Sequence, residues 1–173
     1  MRYKEICWYL RKKYLKRWYK YVSAGKICVY VDESGFEASS ARRYGYARRG
    51  QKVYGQHSGQ KRPRTTLIAA QINGCLRSEI LFQGTTNAAI FNHWLKEVLC
   101  PKLNKDHVVI MDNAAFHKSN QTKHLIENTG ASLLFLPPYS PDLNPIEQTF
   151  GLIKRKREIH THATIDDIIN MLP

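Results

Sequence analysis

Three acidic residues stand where a carboxylate can do chemistry. Asp32 and Asp112 each come at the end of a short apolar run, KICVYVDE and HVVIMD, and Glu147 follows the proline-rich stretch PPYSPDLNP. A short apolar run rich in β-branched residues reads as a buried strand, and open α/β sheets bind ligands at the carboxyl ends of such strands. If the two strands lie side by side and parallel, Asp32 and Asp112 share that edge, and a helix opening at Glu147 can cross it. Three carboxylates converging on one point repel each other unless a cation neutralises them. Oxygen ligands with no cysteine or paired histidine nearby suit Mg²⁺ or Mn²⁺ rather than zinc. Each acid also has a structural alternative. Asp32 and Asp112 can serve as strand-end turn formers or caps. Asn144-Pro145-Ile146-Glu147 fits a capping box, with Asn144 as the cap and Pro145 at the first helical position.

The elements that must hold these residues follow from periodicity. Residues 1–24 carry eight Lys or Arg and one acid, Glu5, with seven Tyr or Trp among them. Ile6, Tyr9 or Leu10, Tyr14 and Trp18 give this segment a helical apolar stripe, so it is either a helix docked by its aromatics or a DNA-contacting arm. After Gly25 comes the strand ending in Asp32 and Glu33. Residues 42–64 contain Arg42, Arg43, Arg48, Arg49, Lys52, Lys61, Arg62 and Arg64 and no acid, and read as the basic connection of a hairpin. TTLIAAQI and CLRSEILF flank Asn73-Gly74, a hairpin turn signal. From Thr86 to Pro101 the apolar residues recur at helical spacing, a single helix ended by the proline. HVVIMD reads as a buried parallel strand, Ser119 to Asn128 as a polar helix capped by Gly130, and SLLFL as a further strand. The stiff proline loop opens into a helix striped by Ile146, Phe150 and Ile153, and a short helix from Thr164 to Leu172 ends the chain. After the basic N-terminal helix the order is βββαβαβα, an α/β fold with a mixed five-stranded sheet flanked by helices.

Composition bounds the partners. The 173 residues hold 27 Lys+Arg against 14 Asp+Glu, a net charge of +13, yet 43% are apolar, so this is a folded protein and not a disordered basic tail. Such a surface attracts polyanions. Residues 1–24 contribute +7, residues 42–64 contribute +8 and Lys154 to Arg157 contribute +4, which leaves −6 for the remainder that includes the three acids. Cys7, Cys28, Cys75 and Cys100 form no CxxC pair, which fits a reducing cytosol and neither a zinc knuckle nor a disulfide framework. No apolar run approaches the roughly 18–20 residues that span a bilayer, and no signal peptide is visible. A cytoplasmic, nucleoid-associated protein with no membrane partner is expected.

Three blocks, VDESGF at 31–36, MDNAAFH at 111–117 and LPPYSPDLNPIEQTFGLIK at 136–154, resemble the signatures of the mariner-type bacterial insertion-sequence transposases. Their DDE catalytic domain has the ribonuclease H-like fold of the retroviral-integrase superfamily. The spacing is similar too, with 79 residues between Asp32 and Asp112 and 34 between Asp112 and Glu147. The resemblance implies that Asp32, Asp112 and Glu147 bind two Mg²⁺ or Mn²⁺ ions, with Asp32 bridging, for DNA strand cleavage at element ends and strand transfer into target DNA. It also implies a homodimer on paired ends and insertion at a TA dinucleotide. Around the triad, Asn113 and His117 follow the second aspartate as in the family, and His117 either orients a phosphate or water or caps the next helix. Asp142 and Asn144 shape the loop that presents Glu147, with Asp142 a substitute ligand, and Glu33 points to the opposite strand face. Lys154, Arg155, Lys156 and Arg157, with the 42–64 arginines and lysines, form a phosphate track.

The chain departs from the family at its start. Residues 1–25 form a basic aromatic helix or linker and residues 26–173 the catalytic domain, so a helix-turn-helix module that reads the element ends would come from a separate or frameshift-joined chain. Two other functions remain open: a catalytically inactive DNA-binding or dimerising remnant, and a general ribonuclease H-like nuclease or junction resolvase.

Overall fold

The computed structural model describes residues 6–37, 46–54 and 64–172. A helix, α1 (Trp8–Ser23), precedes three strands, β1 (Ile27–Phe36), β2 (Thr65–Ile72) and β3 (Cys75–Gln83). Then α2 (Ala88–Trp94), β4 (His107–Met111), α3 (Asn120–Glu127), β5 (Ser132–Phe135), α4 (Ile146–Ile159) and α5 (Ile165–Asn170) follow. The sheet order is β3-β2-β1-β4-β5. β1, β2 and β3 are antiparallel neighbours, whereas β4 and β5 run parallel to β1. The mixed sheet and element order expected from the sequence are therefore present.

Local sequence explains the elements. Asn73 and Gly74 both take positive φ, 51° and 81°, as a two-residue hairpin turn of matching twist requires. β4 is buried at all five positions, as befits a strand flanked by two others and covered on both faces. Asn87 caps α2 by accepting from the Ile90 amide, and Ser119 caps α3 through the Thr122 amide. One face of the sheet packs Val29, Val31, Val109 and Met111 against Phe91, Trp94 and Leu95 from the α2 region and Ile126 from α3. The other face has two covers. Leu67 and Ala69 meet Ile146, Phe150 and Ile153 of α4, and Val108, Ile110 and Leu134 meet Tyr14 of α1. Tyr14 is buried, while Tyr9 and Leu10, expected on the same stripe, are exposed.

Two boundaries differ from expectation. The helix predicted from Thr86 to Pro101 is α-helical only to Trp94. It continues as a π-helical turn over Leu95–Leu99 and a 3₁₀ turn over Cys100–Lys102. The widened turn buries both Leu95 and Leu99 against the sheet. β1 also runs past Asp32 to Phe36. It pairs with β2 through Phe36↔Thr65, but its paired register with β4 ends at Tyr30↔Ile110. Asp32 is thus inside a strand whose neighbour on one side has stopped, and that opening makes room for a site.

Trp94 supplies a test of this core. It is fully buried, and its Nε1 donates to the Ser78 carbonyl over 2.7 Å where β3 bulges and Ser78 takes φ 57°. Trp94→Phe leaves that buried carbonyl unpaired and part of the site empty, so a loss of about 2–3 kcal/mol is expected. It would appear as a lower urea midpoint with an unchanged m-value.

Candidate active site

The carboxyl edge of β1 and β4 opens into a cavity of about 450 Å³ whose lining includes Asp32, Asp112 and Glu147. Carrying the β1–β4 register two residues beyond Tyr30↔Ile110 sets Asp32 beside Asp112. Leu136, which follows β5, donates its amide to the Met111 carbonyl, and Asn113 Nδ2 donates to the Leu136 carbonyl. The proline loop thereby starts tied to the end of β4. It turns at Tyr139, with φ 52°, and Ser140 Oγ holds it by donating to the Pro138 carbonyl. The loop then delivers Glu147 to the first turn of α4.

Asp32 is 9% exposed. Its Oδ1 accepts from the Glu33 amide at 2.8 Å and its Oδ2 from Asn144 Nδ2 at 2.9 Å. Burial, with the negative charges of Glu147, Glu33 and Asp112 around it, pushes its pKa up to about 8, although the Glu33 amide opposes that rise. Asn144 is itself buried, and its Oδ1 has no hydrogen-bond partner. The capping box expected at Asn144 does not form, because its side chain is drawn to Asp32 instead of to an α4 amide. Glu147 is thus free of a capping role and exposed at the cavity.

Asp112 is held from behind by a fully buried histidine. His117 Nδ1 lies 2.6 Å from Asp112 Oδ1 and His117 Nε2 lies 2.9 Å from Glu33 Oε1, with the ring packed against Phe91 and Phe116 at 4.4 Å each. An imidazole with a carboxylate oxygen at each nitrogen must donate from both, so it is an imidazolium. Burial alone would discharge it, but these two hydrogen bonds and the paired charges raise its pKa to about 9. Asp112 in turn is held below the usual carboxylate range, first by the His117 hydrogen bond and also by the Ala114 amide on the same oxygen. His117 does not cap the next helix, since Ser119 does. Glu33, on the far face of β1 as expected, is joined to the site through this imidazolium. Strand alternation hinted at Glu33's direction, but nothing in the sequence pairs residues 33 and 117.

Asp142 is not a substitute ligand. Arg11 forms a bidentate pair with it, Nη1 to Oδ1 at 2.9 Å and Nη2 to Oδ2 at 2.6 Å, and Asp142 is not among the cavity's lining residues. The pair clamps α1 to the loop that carries Glu147, a link across 131 residues that no local signal announces. Among the described residues no three His, Cys, Asp or Glu side chains are placed to hold one metal ion together. The three acids surround a cavity instead of converging on a single point.

The predicted phosphate track is uneven. Arg42, Arg43, Lys61 and Arg62 lie outside the described residues. Arg48 and Arg49 are exposed at a turn closed by the Gln51 amide on the Arg48 carbonyl. The Arg64 guanidinium lies against Gly35, where a Cβ would sit 2.0 Å from it. On α4, Lys156 Nζ donates to the Met171 carbonyl and Arg157 Nη2 to the Glu37 carbonyl, and Lys154 and Arg157 both stand over the Phe36 ring. The second half of that basic run thus fastens α4 to α5 and β1, while Lys154 and Arg155 are exposed. No helix among the described residues is long and apolar enough to cross a membrane.

Comparison with known proteins agrees with this architecture. The chain is 43% identical over 51 residues to the Tc3 transposase of Caenorhabditis elegans, a match covering 30% of this chain and 16% of that protein. Among solved structures, the Mos1 transposase paired-end complex with the left transposon end superposes with a TM-score of 0.68 at 19% identity, over 91% of this chain and 51% of that one. The Mos1 strand transfer complex superposes with a TM-score of 0.67 at 18% identity, over 98% and 59%. The mariner Mos1 paired-end complex with Mg gives 0.66 at 20% identity, over 85% and 49%. The chain spans about half the length of these structures, and at such identities the likeness is one of fold, the ribonuclease H-like sheet with its flanking helices. The model of the DDE superfamily endonuclease family matches residues 28–169, nearly the whole sheet and its helices, and the chain therefore belongs to that family.

Proposed function

We propose that this chain is the catalytic domain of a mariner-type transposase, which cleaves DNA strands at element ends and joins the freed 3′ ends to target DNA. Asp32, Asp112 and Glu147 are its metal ligands. The observation that carries this reading is Asp32, a carboxylate 9% exposed beside Asp112 and Glu147 at one cavity. Ionising all three there carries a cost that a bound cation removes. Only oxygens are offered, which suits Mg²⁺ or Mn²⁺, and three carboxylates around a cavity suit two ions better than one. Bound there, such ions lower the pKa of a water and neutralise charge on the leaving 3′ oxygen.

The protein's own groups do the positioning. Asn144 and the Glu33 amide hold Asp32 in place between the other two acids. His117 and Ala114 share Oδ1 of Asp112, which leaves Oδ2 for a cation. Glu147, on the first turn of a helix started by a stiff loop, closes the set. No side chain need act as nucleophile, because the attacking groups are water and then a DNA 3′ hydroxyl. DNA is the partner, which the net charge of +13 supports. A homodimer on paired ends is part of this reading, and the similar Mos1 structures are a paired-end complex and a strand transfer complex. A helix-turn-helix chain, separate or joined by frameshifting, would read the ends, and such a protein works in the cytoplasm on the nucleoid.

The test is Mn²⁺-dependent nicking of supercoiled plasmid by the wild-type chain and by Asp112→Asn. Cleavage reduced at least about 100-fold by the substitution, with DNA binding kept, is the expected result. Equal cleavage by both would place the chemistry elsewhere. Binding with no cleavage by either would make the chain a DNA-binding remnant.

A further inference from the structure

A second cavity, of about 280 Å³, adjoins the carboxylate cavity and shares Asn113, Leu136, Pro137 and Pro138 with it. The two lie side by side along these four residues, and the second is a groove of its own. Its wall opposite the prolines is α1, which presents Lys13, Tyr14 and Arg17. This wall is fixed. Tyr14, 5% exposed, packs onto Val108, Ile110 and Leu134, and Arg11, less than one turn before it, is clamped to Asp142 of the proline loop. Lys13 and Arg17 are four residues apart and therefore neighbours on one helical face, about 6 Å apart at Cβ. Both are exposed, and neither is among the ion pairs or side-chain hydrogen bonds of the described residues.

Two free cations held at a set spacing on one wall, with an apolar proline wall facing them, match a chain of phosphates. The groove lies beside the cavity where the reacting phosphate would lie. We propose that it carries the DNA strand continuous with that phosphate, with Lys13 and Arg17 on two successive phosphates. This rests on the reading of the carboxylate cavity as the cleavage site. It also gives α1 a definite role. The residues that bury Tyr14 and bind Asp142 hold the helix so that its next positions act on DNA.

The experiment measures binding of the full 173-residue chain to a fluorescein-labelled duplex with a single-stranded 3′ overhang, by anisotropy in Ca²⁺ over a range of salt concentrations. The double variant Lys13→Ala/Arg17→Ala is compared with Lys16→Ala/Lys20→Ala, which removes equal charge from α1 positions outside the groove. Losing two phosphate contacts should lower the slope of log K against log salt by about 1.4–1.8 in the groove variant, and by less than half of that in the control. An unchanged slope in the groove variant, or an equal fall in both, overturns the proposal. Plasmid nicking by the wild type and Asp112→Asn, run alongside, reports on the cavity alone. A selective slope loss supports the groove whether or not the chain nicks DNA, and failed nicking counts only against the cleavage reading.

Discussion

Replacing Asp32 with asparagine is expected to cut metal-dependent strand cleavage by about 10³-fold or more, the several kcal/mol that metal-held charge stabilisation supplies. The same change should make the metal-free protein more stable. Asp32 has a pKa of about 8 in the fold, against 3.8 as its ordinary value. A group whose folded pKa is raised in this way weighs against folding once the unfolded chain ionises. The penalty is absent below about pH 4, grows as pH rises, and is complete above about pH 8. In the Asp32→Asn variant the new side chain carries no charge, and its amide can donate to Asn144 Oδ1, which in the wild type lacks a partner. The gain over wild type should therefore rise between pH 4 and 8 to the order of a few kcal/mol. Thermal melts across that range, in EDTA, measure it. Saturating Mg²⁺ should reverse the order, since only the wild type gains a neutralising ion. A residue retained for stability would show the opposite pattern, with the asparagine variant weaker at every pH.

His117→Ala should produce the second large effect. The fully buried imidazolium separates Asp112 from Glu33, and deleting it leaves two carboxylates without the cation that both bond. Breaking such a buried pair costs about 3–5 kcal/mol, and the low end is expected here because Asp112 can still reach solvent. The pH dependence runs opposite to that of Asp32. With a folded pKa of about 9 against an ordinary 6.5, the histidine's contribution is whole below about pH 6.5 and is lost as pH rises through 9. The gap between wild type and variant should therefore narrow between about pH 6.5 and 9, down to the pH-independent part left by the lost packing on Phe91 and Phe116. Loss of a group that orients a metal ligand typically weakens metal affinity or activity by about 10- to 100-fold. The Mg²⁺ concentration for half-maximal nicking should rise accordingly. A stability loss with an unchanged Mg²⁺ requirement would show that His117 only props the core.

The fold was legible because its local signals agree with one another. Asn73-Gly74 can make a tight turn because both residues adopt positive φ. The uniformly apolar HVVIM could be central because its flanking partners cover it. Legibility stopped where one side chain had two uses. Asn144-Pro145-Ile146-Glu147 has every residue of a capping box, yet Asn144 serves Asp32, 112 residues away in sequence. Lys154 to Arg157 reads as a uniform basic run, but packing divides it into exposed cations and cations bound to carbonyls. The acids at 32, 112 and 147 could be singled out because Asp32 and Asp112 each close an apolar run and Glu147 follows the proline-rich stretch. The Arg11–Asp142 clamp and the Glu33–His117 bond could not, since a contact between distant positions leaves no periodic trace. The extension of β1 past Asp32 depends on pairing with β2, which composition alone does not reveal.

The central claim is that Asp32, Asp112 and Glu147 hold the divalent ions that cut DNA. Anomalous scattering from Mn²⁺ in crystals of the chain with a bound element-end oligonucleotide tests it most directly. Two peaks about 4 Å apart are predicted in the cavity, each within bonding distance of at least one of the three carboxylates and both near Asp32. No peak in that cavity, or Mn²⁺ bound by other residues in a complex that cleaves its DNA, would contradict the account.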